Sequence, residues 1–420
     1  SALRFEAASL WLLEEAFLRE IAPQRSTRSF LRYARTGGWR NRRQVAWNNS
    51  GRYNPGMKEL RSWLVCGWKV LRFLAYRAGW ARPPSLTDVF DELLTVLGGI
   101  GKWPVRCRTL FPERCPQSGP AIFVGNHLRF DDPQLLFNAI FRATNQAVRI
   151  RYMMRHDFFK GVPFSEALGL NDFFIRMGAF MIDRDRVTIA QLKPFVTLLR
   201  EEQPFGMFPG GTRSRTGLFF EYRDGIAEPG GISFFVAQTQ RAKPNPPVPT
   251  IPVVRTWNPA NQRSTLIFGE ALYLEPGADR AAQRRFDSET AYRMGDLIEL
   301  NAAQLVATIL YLRCLHRRTE PVRIDAIVDR VRRIAAAATL RFVEPATRDH
   351  PAEEVHAALA HFESRGLVRR SDGAVELAAA EILACPPQDK RYVRHNPVKY
   401  LVNQILHLCD VTQIIEKEAL

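Results

Sequence analysis

Residues 121–133, AIFVGNHLRFDDP, constrain the fold more than any other stretch of the chain. The run Ala121, Ile122, Phe123 and Val124 is short and uniformly apolar, the pattern of a strand buried on both faces rather than of an exposed edge. Gly125 and Asn126 end it. Asp132 followed by Pro133 then signals a helix start, because an aspartate can accept from the first free backbone N–H groups and proline fits the first helical position. A buried strand, a loop and a capped helix open an α/β unit, and they leave His127 in the loop. Four residues separate His127 from Asp132, a spacing that can bring the carboxylate to one imidazole nitrogen and leave the other to take a proton from an alcohol. The plainer account is that Asp132 only caps the helix, that Asp131 competes for the histidine, and that His127 is polar surface.

The same alternation continues. From 103 to 276 short apolar runs (148–154, 180–182, 205–209, 253–257 and 266–269) alternate with helical stretches such as 134–143 and 231–239, which predicts an α/β domain with a mainly parallel sheet flanked by helices. The run 180–182 delivers Asp183 and Arg184 to a loop. The run 205–209 opens into Gly210, Gly211, Thr212, Arg213, Ser214 and Arg215. Paired glycines let backbone approach a ligand and can form an anion nest, and an arginine fork suits phosphate oxygens. On residue types alone, DRDR is an ordinary charged loop and Gly-Gly with a basic flank an ordinary turn. Both loops are expected to end strands that neighbour the histidine strand, at the sheet edge where ligands settle in open α/β folds.

His-x4-Asp preceded by Asn resembles the first sequence block of the glycerolipid acyltransferases, the enzymes that acylate glycerol phosphate and lysophosphatidic acid. GAFMIDR at 178–184 resembles their second block, FPGGTRS at 208–214 their third, and VPTIPV at 248–253 their fourth, in the family's order. The resemblance covers about 118–276. It implies the glycerol-phosphate acyltransferase fold, His127 as general base, Asp132 as its orienting partner, and Arg184, Gly211, Thr212, Arg213 and Ser214 around the acceptor's phosphate. It also implies an acyl thioester, acyl-CoA or acyl-carrier protein, as co-substrate, with no resident cofactor and no metal. One position departs: the third block usually reads Phe-Pro-Glu-Gly-Thr-Arg, and Gly210 stands at its glutamate. That departure supports a rival reading, a catalytically impaired relative that binds membrane or nucleic acid through its basic surface.

Charge fits either reading. A net charge of +16 and a pI near 10.0 draw anionic partners such as a phospholipid surface, an acidic carrier protein, coenzyme A or nucleic acid; retention of His127, Asp132, Arg184 and Arg213 together speaks against the impaired relative, and nucleic acid is not the expected partner. Residues 62–80, SWLVCGWKVLRFLAYRAGW, are apolar but carry Lys69, Arg72 and Arg77, too costly for a spanning helix and suited to an interfacial one, with a packed helix as the plainer alternative. The early residues carry Glu6, Glu14 and Glu15, unlike a secretory leader, so a cytoplasmic protein peripheral to the inner face of the membrane is expected. The six cysteines show no CxxC pair; a reduced setting accounts for them, with a Cys107–Cys115 bridge conceivable.

The expected organisation is a helical N-terminal region at 1–100, a catalytic domain at 101–278 and a mainly helical C-terminal domain at 279–420. Within the last, 352–377 reads as a helix followed by a hairpin around Ser371, Asp372 and Gly373, a winged-helix outline. Helices are also expected at 5–21 and 86–97.

Overall fold

The central sheet has seven strands: β1 (Arg106–Leu110), β2 (Ile122–Gly125), β3 (Arg151–Arg155), β4 (Phe180–Ile182), β5 (Phe205–Met207), β6 (Thr250–Asn258) and β7 (Arg263–Phe268). They lie in the order β1-β7-β6-β2-β5-β3-β4. Pairing is parallel from β6 to β4, and β7 runs antiparallel to β6. A computed structural model gives this arrangement and describes residues 55–86, 106–129, 131–145, 147–183, 186–219, 231–243, 247–339, 341–387 and 390–419. The expected helices at 5–21 and 86–97 and Arg184 fall outside the described residues, apart from Leu86 itself, which is buried.

The sheet is covered on both faces, which is why its middle strands read as apolar runs rather than alternations. On one face the helix Asp132–Ala143 sets Leu136 and Ile140 against Phe123, Ile251, Val253, Leu266 and Phe268. On the other, Val124, Phe205 and Val254 join a larger core that includes Phe195, Phe235 and most of the helix Ala302–Leu315. That last helix is apolar around its whole circumference and has a buried position at nearly every residue, the mark of a helix at the centre of a core. Asn301 and Gln304 close a capping box at its start, so its free N–H groups are satisfied where water cannot reach them.

The C-terminal residues include a helix and a hairpin. The helix Pro351–Glu363 is followed by an antiparallel hairpin, Val368–Ser371 with Ala374–Leu377, turning through Asp372 and Gly373 at positive φ. This part is docked on the sheet by charge as well as by apolar contact: Arg263 of β7 pairs with Glu344 at 2.8 Å and with Glu354, and Arg108 of β1 pairs with Glu299. Ahead of this helix and hairpin lie two helices, Arg280–Asp296 and Ala302–Leu315, parted by the short strand Glu299–Leu300.

The stretch 62–80 lies mostly in the helix Pro55–Arg77. One face packs, with Cys66 and Phe73 against Met177, Leu86 and Phe173. Trp63, Leu64, Trp68 and Leu71 point outward, and Trp80 is exposed just beyond the helix end. Among the described residues no helix is long and apolar enough to cross a membrane. All six cysteines are free thiols, Cys107 and Cys115 included.

Candidate active site

β2 and β5 are adjacent and parallel, so the loops that leave their C-terminal ends meet. His127 lies on the first and Phe208 to Ser214 on the second. The two are joined directly: the Ser214 N–H donates to the His127 carbonyl at 2.7 Å, and the imidazole stacks on the Phe208 ring with centroids 4.6 Å apart. Phe208 in turn stacks on Tyr152 of β3. Close packing at Gly125 and Gly206 makes this possible. A Cβ at Gly125 would press on the Phe208 ring, and one at Gly206 would stand 2.5 Å from the Tyr152 ring.

The histidine and aspartate are brought together. His127 Nδ1 lies 2.8 Å from Asp132 Oδ2, a contact that does not involve Nε2; 22 % of the histidine side chain is exposed and 3 % of the aspartate. Asp132 Oδ2 also accepts from the N–H groups of Leu128 and Arg129, both at 2.6 Å. The aspartate therefore does not cap the helix in the ordinary way. The cap position is Asp131, with no side-chain cap bond, and Asp132 is the first helical residue. Its carboxylate turns back into the loop, because there it meets two backbone donors, an imidazole and an arginine at once.

That arginine is Arg255 of β6, 1 % exposed. Its Nη1 donates to Asp132 Oδ1 at 2.5 Å and to Asp131 Oδ1 at 2.8 Å, and its Nε donates to Ser264 Oγ at 3.1 Å. The Asn126 side chain accepts from the Arg255 N–H at 2.8 Å and donates to the Arg255 carbonyl at 2.9 Å, extending the β2–β6 ladder past Gly125 with an amide side chain in place of backbone. Asp131 also accepts from Arg129 Nε at 3.1 Å, and the Arg129 guanidinium lies 4.2 Å from the centre of the Trp257 ring. Burial pushes the Asp132 carboxyl up, but the Arg255 charge and the His127 hydrogen bond outweigh it and hold the group at about 2. Asp132 is thus an ionised partner for the histidine across the neutral range.

Arg255 is a site residue that motif reading misses. Its one sequence signal is a single charge in the otherwise apolar run IPVVRTW, which cannot stand buried without a partner.

The glycine loop is a tight turn. Gly211 has φ 63°, and space opens where its side chain would be. Its N–H donates to the Phe208 carbonyl at 3.0 Å and the Thr212 N–H to the Gly210 carbonyl at 2.7 Å, so both donors serve the turn instead of an open nest. Ser214 is buried and its hydroxyl accepts from the Gly217 N–H at 3.0 Å. The loop continues under the C-terminal residues: the Asn403 side chain donates to the Thr216 carbonyl at 2.9 Å, the Tyr392 N–H to the Arg215 carbonyl at 2.8 Å, and Gly217 has its Cα against the Tyr400 carbonyl.

The second arginine loop does not neighbour the histidine strand. β4, which ends at Ile182, is at the sheet edge, separated from β2 by β5 and β3. Three strand spacings are about 14 Å. Among the described residues no three His, Cys, Asp or Glu side chains converge on a metal site.

Residues 106–254 match the Acyltransferase family model. The matched segment runs from β1 into β6 and takes in His127, Asp132, the β4 end and the glycine loop. No curated protein matches the chain. Among solved structures, the 1-acyl-sn-glycerophosphate (LPA) acyltransferase PlsC from Thermotoga maritima is similar at 15 % identity and a TM-score of 0.33, covering 57 % of this chain and 94 % of that one.

Proposed function

We propose that the chain is an O-acyltransferase that moves a fatty acyl group from a thioester, acyl-CoA or acyl-carrier protein, to a hydroxyl of a glycerol-phosphate-type acceptor such as glycerol 3-phosphate or lysophosphatidic acid. The observation that carries the reading is the His127–Asp132 pair at 2.8 Å inside a segment that matches the acyltransferase model. His127 Nε2 takes the acceptor's hydroxyl proton, and Asp132 holds the ring and stabilises the imidazolium. The alkoxide attacks the thioester carbonyl, the C–S bond breaks, and the proton on His127 passes to the leaving thiolate. A base of this kind contributes about 100- to 10,000-fold.

The acceptor's phosphate sits on the loop after β5. Gly211 leaves it room, and Thr212 and Arg213 supply a hydroxyl and a charge, while Ser214 shapes the turn. The family resemblance adds Arg184 to the residues that bind the acceptor's phosphate. The outward Trp63, Trp68 and Trp80, with Lys69, Arg72 and Arg77 nearby, support an anionic membrane surface as the place where acceptor is met.

The test is radiolabelled acyl transfer with acyl-CoA and acyl-carrier-protein donors against glycerol 3-phosphate and lysophosphatidic acid, with Gly210→Glu alongside. Turnover by the chain as it stands supports the reading. Turnover only in the glutamate variant favours the impaired relative, and silence from both overturns the assignment.

A further inference from the structure

Five side chains form a row of alternating charge that ends on the histidine: His127, Asp132, Arg255, Asp131 and Arg129. Neighbours in the row lie 2.8, 2.5, 2.8 and 3.1 Å apart. The middle member is held from several directions. Ser264 holds its Nε, Asn126 holds its backbone on both sides, and it is 1 % exposed. Asp132 presents one oxygen to the imidazole and the other to this fixed cation. Asp131 shares the same Nη1 and draws part of that charge away.

We propose that Arg255, counterweighted by Asp131, sets how strongly Asp132 attracts a proton to His127, and so sets the pH range in which the imidazole is neutral. Arg255 is a positioning residue: it acts through Asp132 and touches no substrate. That the neutral imidazole is the catalytic base rests on the proposed function; the charge relation itself does not.

The other groups around the row leave its charge alone. Tyr152 of β3, Cys107 of β1 and Tyr400 of the helix Pro397–Ile405 are each pushed up, chiefly by burial, the thiol to about 11 and the Tyr400 phenol to about 12, so all three are neutral near pH 7. On the loop after β5, Arg213 is the charge next to Ser214, whose N–H bonds the His127 carbonyl.

The signs are opposite for the two ends of the counterweight. Arg255→Gln removes the cation behind Asp132, so its carboxylate acts on the imidazole unopposed and the His127 pKa rises. Asp131→Asn gives the whole of the Arg255 charge to Asp132, so the carboxylate's pull weakens and the His127 pKa falls. A nearby charge moves a pKa by one to three pH units, and with a carboxylate interposed the expected displacement is about half a unit to one unit each way. Arg255→Lys keeps the cation and returns the titration toward the parent value. Mere loosening of the loop has no reason to move the two variants in opposite directions.

The experiment is a pH titration of His127 by NMR in histidine-labelled full-length chain, its resonance assigned with His127→Gln, for the parent, Arg255→Gln, Arg255→Lys and Asp131→Asn. Displacements up in Arg255→Gln and down in Asp131→Asn support the proposal. An unmoved titration, or movement of both in one direction, overturns it. Asp131→Asn leaves Arg255 paired with Asp132, so its downward displacement decides the matter by itself if Arg255→Gln does not fold. The acid limb of kcat/KM, measured on the same proteins, follows these displacements if His127 is the base. A limb that stays put while the NMR titration moves leaves the charge relation standing and refutes the catalytic reading.

Discussion

Asp132 makes acid stability a measurable property of the site. Its carboxyl lies at about 2 in the fold against 3.8 for the free group, because Arg255 and His127 outweigh burial. Folding favours the charged form, so the contribution is complete above about pH 4 and is lost as pH falls through about 2. At about 1.4 kcal/mol per tenfold, the difference between 3.8 and about 2 amounts to about 2 kcal/mol. The carboxylate is 3 % exposed, so solvent screening removes little of this. Urea unfolding of the chain and of Asp132→Asn at several pH values between 6 and 2 isolates the term, since the asparagine variant has no proton to take up. The stability difference between the two should shrink by about 2 kcal/mol across that acid range. A difference that stays flat from pH 4 to pH 2 refutes the reasoning, and would mean that Asp132 is not ionised against Arg255 in the fold.

Other consequences follow from the same contacts. Gly217 has φ 93° and a Cβ there collides with the Tyr400 carbonyl, so Gly217→Ala should cost about 3 kcal/mol in thermal or urea unfolding. Asn403→Ala loses one buried hydrogen bond to the binding loop, at about 1 kcal/mol, and should raise the KM for acceptor more than it lowers kcat. Trp63→Ser combined with Trp68→Ser removes two outward indoles and should weaken sedimentation with anionic vesicles by at least about tenfold while leaving the melting temperature unchanged.

The sheet was legible because its strands obey local rules. The run before Gly125 is apolar at every position, and the structure buries Ile122 through Gly125 throughout. The glycine loop was legible as a loop for the same reason, since Gly210 and Gly211 interrupt the run after Met207. What local rules cannot see is a partner far along the chain. Arg255 meets Asp131 and Asp132 from more than a hundred residues away, and that meeting turns Asp132 from the expected helix cap into a loop and charge partner. The order of strands is equally nonlocal: β4 looked like β5 in sequence, each a short run ending in a charged loop, yet one lies at the sheet edge and the other beside β2. The hairpin after Glu363 was written in its Ser-Asp-Gly turn, but nothing in that pattern told that Asn403 and Tyr400 would hold the loop at Thr216 and Gly217.

The central claim is that His127, oriented by Asp132, takes the proton from the acceptor hydroxyl. Its most direct test is initial-rate acyl transfer by the purified chain and by His127→Ala, on the same donor and acceptor, with melting curves of both. The account predicts a variant that melts like the parent and transfers at least about 100-fold more slowly. A folded variant that keeps most of the parent's rate would contradict it.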